Sequence, residues 1–235
     1  TEEDQTISFN FKLDLKKLLT MAAIFLDLDG TLTDPHPGIT RSIRYAMEKM
    51  EQPLSEDEDL DWTIGPSLWE SFRQLGLAEE DLDQAIGYYR ERYTDVGLLE
   101  NRVYDGIPEA LESLVAAKHS LYLATAKPHA YAVKITAHFG LAPFLKTEYG
   151  AELNGTRSDK SDLLRYALKS SDINASDAIM VGDRKHDMLA ASANGITTLG
   201  VLWGYGSKDE LQSAHAEYLI SSPQQLNPII SDWAS

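Results

Sequence analysis

From Tyr104-Asp105-Gly106 onward, short apolar runs alternate with stretches of helical spacing, and this alternation constrains the fold more than any other feature. Residues 121–124, 144–149, 178–181 and 197–202 have the length and content of strands. Between them, Pro108 leads a segment carrying Leu111, Leu114 and Val115, and residues 129–139 stop at Gly140. Residues 160–170 carry Leu163, Leu164, Ala167 and Leu168, and residues 186–194 stop at Gly195. Proline in a first turn and glycine just past a last turn mark helix boundaries. Ser207-Lys208-Asp209-Glu210 opens another helix with a capping box, and Leu219-Ile220 is a short last strand. Strands joined through helices run parallel and bury both faces.

One more strand precedes this region, Ile24-Phe25-Leu26. Between it and Tyr104 the pattern is helical throughout. Thr40 caps a helix bearing Ile43, Met47 and Met50, and Ser55-Glu56-Asp57-Glu58 has the form of a capping box. Leu68, Phe72 and Leu75, then Leu82, Ile86 and Tyr89, repeat at one-face intervals. The expected architecture is α/β: a core from residues 21–35 and 105–235, with an all-helical unit, residues 36–104, inserted after the first strand. Residues 1–20 are polar and irregular, and are expected to be a leader outside the fold.

The first strand runs into Asp27-Leu28-Asp29-Gly30-Thr31. Two acids at one strand end repel each other unless a cation or water separates them. An EF-hand would need oxygen ligands running on to a glutamate at the twelfth position, but Leu32, Pro35 and Pro37 follow here. Ligands of open parallel sheets bind beyond the carboxyl ends of the strands. That edge collects Asp27 and Asp29, then Thr125-Ala126-Lys127, then Asp183 and Asp187 in Gly182-Asp183-Arg184-Lys185-His186-Asp187, with Lys160 opening a nearby helix.

This set suits phosphoryl transfer. A carboxylate facing a phosphate dianion at about 4 Å meets roughly 4 kcal/mol of repulsion per unit charge at an effective dielectric of about 20. A divalent cation held by Asp27 and Asp183 removes most of it, and magnesium suits all-oxygen ligands. Lys160, the Thr125 hydroxyl and nearby backbone N–H groups can hold the phosphate oxygens.

Composition narrows the alternatives. The chain of 235 residues has no cysteine, which excludes disulfides, thiolate zinc sites and cysteine nucleophiles and fits the cytoplasm. No apolar stretch is long enough to span a bilayer, and no signal peptide is visible. A formal charge of −16 disfavours nucleic-acid polymers and anionic membranes. It also opposes an anionic small molecule, but at a Debye length of about 8 Å local charges decide what a pocket binds, so a small-molecule phosphate monoester is still the expected partner.

The motifs DLDGT (27–31), LATAKP with Thr125, RSDKS with Lys160, and GDRKHD (182–187) occur in the order of the haloacid dehalogenase-like superfamily. The chain resembles its phosphatase branch over about residues 22–222. The resemblance implies a Rossmann-like core with a helical cap after the first strand. It implies that Asp27 is the nucleophile forming an aspartyl-phosphate and that Asp29 is the acid and base. Mg2+ would be held by the Asp27 carboxylate, the Asp29 backbone carbonyl and Asp183, with Asp187 supporting the metal or orienting Lys160. Thr125, the Ala126 N–H and Lys160 would bind phosphate. Asp29 separates the chain from metal-free dehalogenases, which lack that acid.

Within the superfamily the chain is most similar to phosphoglycolate phosphatase-like enzymes. Gly65, in Ile64-Gly65-Pro66-Ser67-Leu68, resembles their cap specificity loop, and Lys127 fits their second motif. GDRKHD and Gly204-Tyr205-Gly206 also resemble 5′-nucleotidases. A phosphomutase is a further alternative. A phospho-acceptor signalling domain is the alternative outside enzymes, but such domains are shorter, lack the helical block and carry the acceptor on a later strand. A monomer is expected. Trp62 and Trp69 are expected to pack the helical unit, Arg184 and Lys185 to pair with acids, and Arg73, Arg90 and Arg92 are candidates to meet a substrate carboxylate.

Overall fold

A computed structural model describes residues 21–235, so the leader expected at 1–20 lies outside the described residues. The strands are β1 (Ala23–Leu26), β2 (Thr33–Asp34), β3 (Arg102–Val103), β4 (Ser120–Pro128), β5 (Leu145–Ala151), β6 (Ala178–Gly182), β7 (Thr197–Val201) and β8 (Tyr218–Ile220). The helices are α1 (His36–Lys49), α2 (Leu68–Gln74), α3 (Leu82–Asp95), α4 (Ile107–Ala116), α5 (His129–His138), α6 (Lys160–Ser171), α7 (Lys185–Ala193), α8 (Lys208–Ser213) and α9 (Leu226–Trp233). Six strands form one sheet in the order β5-β4-β1-β6-β7-β8, and every neighbouring pair is parallel. β2 and β3 make a separate antiparallel pair, and the chain between them contains helices and turns but no strand. The protein is therefore α/β with a Rossmann-like parallel sheet.

The period of two in β1 explains its central place. Ile24 and Leu26 join one apolar cluster and Ala23 and Phe25 the other, so the strand is buried on both faces. β6 divides likewise, with Ile179 and Val181 on one side and Ala178 and Met180 on the other. Leu163, Leu164 and Ala167 of α6 cover one face. Leu111 and Leu114 of α4 and Ile135 of α5 cover the other, in a cluster that continues through Ile43, Phe72 and Ile86 of the helices between β2 and β3. Phe25 is fully buried with its ring centroid 5.2 Å from that of Tyr122. Phe25→Ala is expected to destabilise the fold by about 3–5 kcal/mol, read as a fall in the urea midpoint at unchanged slope.

Several local expectations are corrected. α1 starts at His36, before Thr40, with Pro37 in its first turn, where the missing N–H costs nothing. Thr40 sits inside the helix and donates to His36 O at 2.7 Å. Ser55–Glu58 is a turn, not a helix start. Arg44 of α1 donates to the carbonyls of Ser55, Glu56 and Glu58, which holds that segment out of a helix. At α8, Ser207 Oγ accepts from Glu210 N at 3.0 Å as a cap should. The Glu210 carboxylate does not return to Ser207. It accepts from Arg184 Nε at 2.9 Å and Lys185 N at 2.8 Å.

Candidate active site

The site is built where β1 ends. Asp27 N donates to Val181 O at 3.0 Å, carrying the ladder one residue past the strand. Leu28 O then accepts from Leu32 N and Thr33 N, each at 2.9 Å, and the chain turns sharply. Gly30 occupies this turn at φ +83°, and a Cβ there would lie 2.2 Å from Asp183 Oδ2. Neither the backbone angle nor the space admits a side chain.

Asp183 directly follows β6 and is completely buried. Thr31 Oγ1 donates to its Oδ1 at 3.2 Å, and Tyr205 N donates to its Oδ2 at 2.8 Å. Gly206 lets the following loop close on it, since a Cβ would fall 1.8 Å from Asp183 O. Asp187, on the first turn of α7, accepts from Arg184 N at 3.0 Å. Lys160 opens α6, whose N-cap Asp159 accepts from Asp162 N at 3.0 Å. Its ammonium lies 2.9 Å from Asp27 Oδ1 and pairs with Asp187 Oδ1.

Asp27, Asp183 and Asp187 each offer an oxygen, and these oxygens lie within 4.8 Å of one another. Three carboxylates and the single Lys160 ammonium leave a formal charge of −2. Burial, then Asp187 and Asp27, drives the Asp183 carboxyl far above its usual range. Burial, with a smaller push from Asp27, raises Asp187 to about 6 against the pull of Lys160. Burial alone would lower Lys160, but Asp187 and Asp27 outweigh it and hold the ammonium above its usual range. Asp27 Oδ1 makes no aligned hydrogen bond even though Lys160 is close. A buried, all-oxygen cluster two charges short of neutral, with an orphan carboxylate oxygen, fits a divalent cation such as Mg2+.

The Asp29 side chain turns away from this cluster. Its Oδ2 pairs with Lys127 Nζ at 2.7 Å, and its Oδ1 is buried without a partner among the described residues. Burial raises its pKa, and Lys127 opposes the rise. Lys127 also donates to Tyr93 OH at 2.7 Å, and its ammonium lies 4.9 Å from the centroid of that ring. So Lys127 lines the site, but its charge is engaged by Asp29 and by an aromatic residue of α3. Thr125 is buried within β4, three residues before its end, and accepts from Lys127 N at 3.2 Å.

Asp27, Asp29, Thr125, Ala126, Lys127 and Lys160 line one side of a cavity of about 830 Å3, its open mouth included. Gly65 lies opposite, with Trp69, Tyr89, Arg90 and Tyr93. Asp183 and Asp187 stand behind Asp27 in the acid cluster. The core-motif candidates and Gly65 border the cavity or the cluster, whereas Arg73 and Arg92 do not line the cavity. Thr31, Tyr93 and the Tyr205 N–H were not singled out. Thr31 belonged to the DLDGT string, and Tyr93 lies four residues after Tyr89 on the helical period. Gly65 sits at φ +110° against Arg184, whose Nη1 donates to Ile64 O.

A parallel sheet that gathers acids, a hydroxyl and a lysine at its carboxyl edge places the chain among α/β proteins with a polar site at that edge. The family model described as haloacid dehalogenase-like hydrolase matches residues 24–201, and the chain belongs to that family. It is 47% identical over 191 residues to a protein of Pseudomonas aeruginosa named 5′-nucleotidase, covering 81% of this chain and 86% of that one. It is 38% identical over 186 residues to a Mycobacterium tuberculosis protein named tyrosine-protein kinase PtkA, covering 79% of this chain and 64% of that one. A crystal structure described as a predicted phosphatase from Clostridium acetobutylicum superposes with a TM-score of 0.87 at 38% identity, covering 90% of this chain and 99% of the other. Among the described residues no helix is long and apolar enough to cross a membrane.

The charge balance predicts a pH effect on the metal-free protein. The Asp187 carboxyl titrates near 6 when folded and near 3.8 when unfolded, so the folded state binds the extra proton. The stability this proton brings is fully present below about pH 3.8 and lost as pH rises through about 6. In excess EDTA the melting temperature is expected to carry a falling component between pH 5 and 7, and millimolar Mg2+ is expected to remove it. Replacing Lys160 by Met leaves Asp27 and Asp187 without their cation. The cost expected at neutral pH is about 3–5 kcal/mol in the denaturant midpoint.

Proposed function

We propose that the protein is a Mg2+-dependent phosphomonoesterase acting through an aspartyl-phosphate at Asp27. The observation that carries this reading is the convergence of Asp27, Asp29, Thr125 and Lys160 on one cavity backed by the Asp183–Asp187 acid pair. Asp27, Asp183 and Asp187 would hold the cation, with the Asp29 backbone carbonyl as the family resemblance implies. When bound, the cation supplies charge neutralisation for an incoming phosphate.

The chain's own residues account for the rest. An Asp27 carboxylate oxygen bonds to phosphorus as the ester P–O bond breaks. Asp29, which burial favours in its protonated form, gives its proton to the departing alkoxide oxygen. Lys160, the Thr125 hydroxyl and the Ala126 N–H hold the non-bridging oxygens. A water then attacks phosphorus, Asp29 takes its proton, and the P–O bond to Asp27 breaks. Lys127 restrains Asp29 and ties it to α3, so the helices between β2 and β3 act as a cap that completes the acid–base group.

Two substrate readings remain from the sequence, a phosphoglycolate-like small acid and a nucleoside 5′-monophosphate. The aromatic residues Trp69, Tyr89 and Tyr93 along the cavity favour the nucleotide, as does the name of the Pseudomonas relative. Aspartyl-phosphate chemistry could also deliver the group to an acceptor hydroxyl. Product analysis with a sugar phosphate separates hydrolysis from that transfer. We read the chain as cytoplasmic, and as a monomer because a cap of this type leaves one subunit complete. The direct test is phosphate release from nucleoside monophosphates, phosphoglycolate and sugar phosphates, with Mg2+ and with EDTA. Release only with Mg2+ supports the reading, and equal release in EDTA overturns its metal requirement.

A further inference from the structure

Three arginines of the cap helices were candidates to meet the substrate, and the structure distinguishes them. Arg73 is paired with Glu79, both largely exposed. Arg92 is paired with Glu100 at 2.8 Å and donates to Ser42 Oγ at 3.2 Å. Arg90 alone of the three lines the cavity, and no carboxylate among the described residues pairs with it. Its Nη2 donates to Leu153 O at 2.8 Å, and its Nε is shielded from water without a partner among the described residues. Nε is enclosed and out of a ligand's reach, whereas Nη1 makes no hydrogen bond among the described residues and is the donor left for a ligand in the cavity.

The surroundings indicate the shape of that acceptor. The guanidinium carbon lies 5.8 Å from the centre of the Trp69 ring, a cation–π distance. Trp69 Nε1 donates to Asp83 Oδ1 at 3.2 Å, which fixes the plane of the indole. Trp69 borders the cavity, so it does more than pack the cap helices as expected from sequence. A flat platform beside an under-satisfied cation suits a planar ring bearing an acceptor oxygen.

We propose that Arg90, positioned by Trp69, is the specificity-determining residue of the cavity, its guanidinium donating to a ring carbonyl of the base in a nucleoside 5′-monophosphate. The inference rests on the phosphomonoesterase reading and narrows its substrate. The Arg90–Leu153 hydrogen bond also joins the cap to the loop after β5, so a purely structural latch is the competing explanation, and the test must separate the two.

The experiment measures kcat/KM with Mg2+ for uridine 5′-monophosphate and for ribose 5-phosphate, which shares the reacting group but has no base. Arg90→Met is expected to lower the value for the nucleotide by about 10- to 100-fold, the range for losing a hydrogen bond to a charged group. The value for ribose 5-phosphate is expected to stay within about twofold, because Arg90 reads only the base in this scheme. Trp69→Leu should shift the two substrates in the same unequal way, which covers the case of an Arg90 variant that does not fold. An equal loss on both substrates would assign Arg90 to cap closure and overturn the proposal, as would no loss on either. If the wild type releases phosphate from ribose 5-phosphate but not from the nucleotide, the phosphatase reading stands and the Arg90 proposal fails. If it releases phosphate from neither, the Arg90 proposal fails, and release from phosphoglycolate with Mg2+ decides whether the phosphatase reading stands.

Discussion

Asp27→Asn is expected to abolish Mg2+-dependent release of phosphate from p-nitrophenyl phosphate, a loss of about 10⁴-fold or more. An amide is a poor nucleophile toward phosphorus, and no other carboxylate takes its place. Asp183 is enclosed by Thr31, Tyr205 and the turn at Gly30, while Asp187 is held by Lys160 and Arg184 N. The same change should leave the fold intact. Asp27 sits in a crowded acid cluster, and a neutral, nearly isosteric amide takes its net charge from −2 to −1. The metal-free melting temperature should therefore hold. A large fall in stability would mean that lost activity reports misfolding. Retained turnover would reject Asp27 as the nucleophile.

Asp29→Asn is expected to lower kcat by about 10²–10⁴-fold, the range for a positioned acid–base group. It should act on both halves of the reaction, because one carboxyl serves the leaving alkoxide and then the attacking water. Its side chain faces Lys127, outside the Asp27–Asp183–Asp187 group, so binding of Mg2+ should be largely kept. Titration calorimetry with Mg2+ checks this directly. Loss of metal binding would reassign the Asp29 side chain as a ligand. A leaving group of low pKa, such as p-nitrophenolate, should be affected less in the first half-reaction than an alkyl phosphate, since it needs little protonation.

The sheet was legible because each central strand is a short apolar run buried on both faces, and the turn after each carries its polar residues to one edge. Asp27 and Asp183 follow from that rule alone, while Thr125 lies within β4, past the apolar run that marked the strand. What escaped depends on contacts distant in sequence. The box-like Ser55–Glu58 fails as a helix because Arg44, more than ten residues earlier, takes its carbonyls. β4 runs on to Pro128 because Thr125 and Pro128 find partners at Gly150 and Ala151 on β5. α9 went unread although Leu226, Ile229, Ile230 and Trp233 repeat at one-face spacing over two turns, and all four pack against the core. The glycines at 30, 204 and 206 enclose Asp183, but nothing local to Gly204-Tyr205-Gly206 announces an aspartate twenty residues away. On the cap, helical periodicity identified the faces, while the pairing that ties up Arg73 and Arg92 and leaves Arg90 at the cavity needed three dimensions.

Acid quenching of the Asp29→Asn variant during turnover with Mg2+, followed by proteolysis and mass spectrometry, probes the covalent step itself. The account predicts a phosphoryl group on the peptide spanning β1 and the following turn, localised to Asp27 and absent in Asp27→Asn. Phosphate release with no phosphorylated peptide, or with the group on another residue, would contradict it.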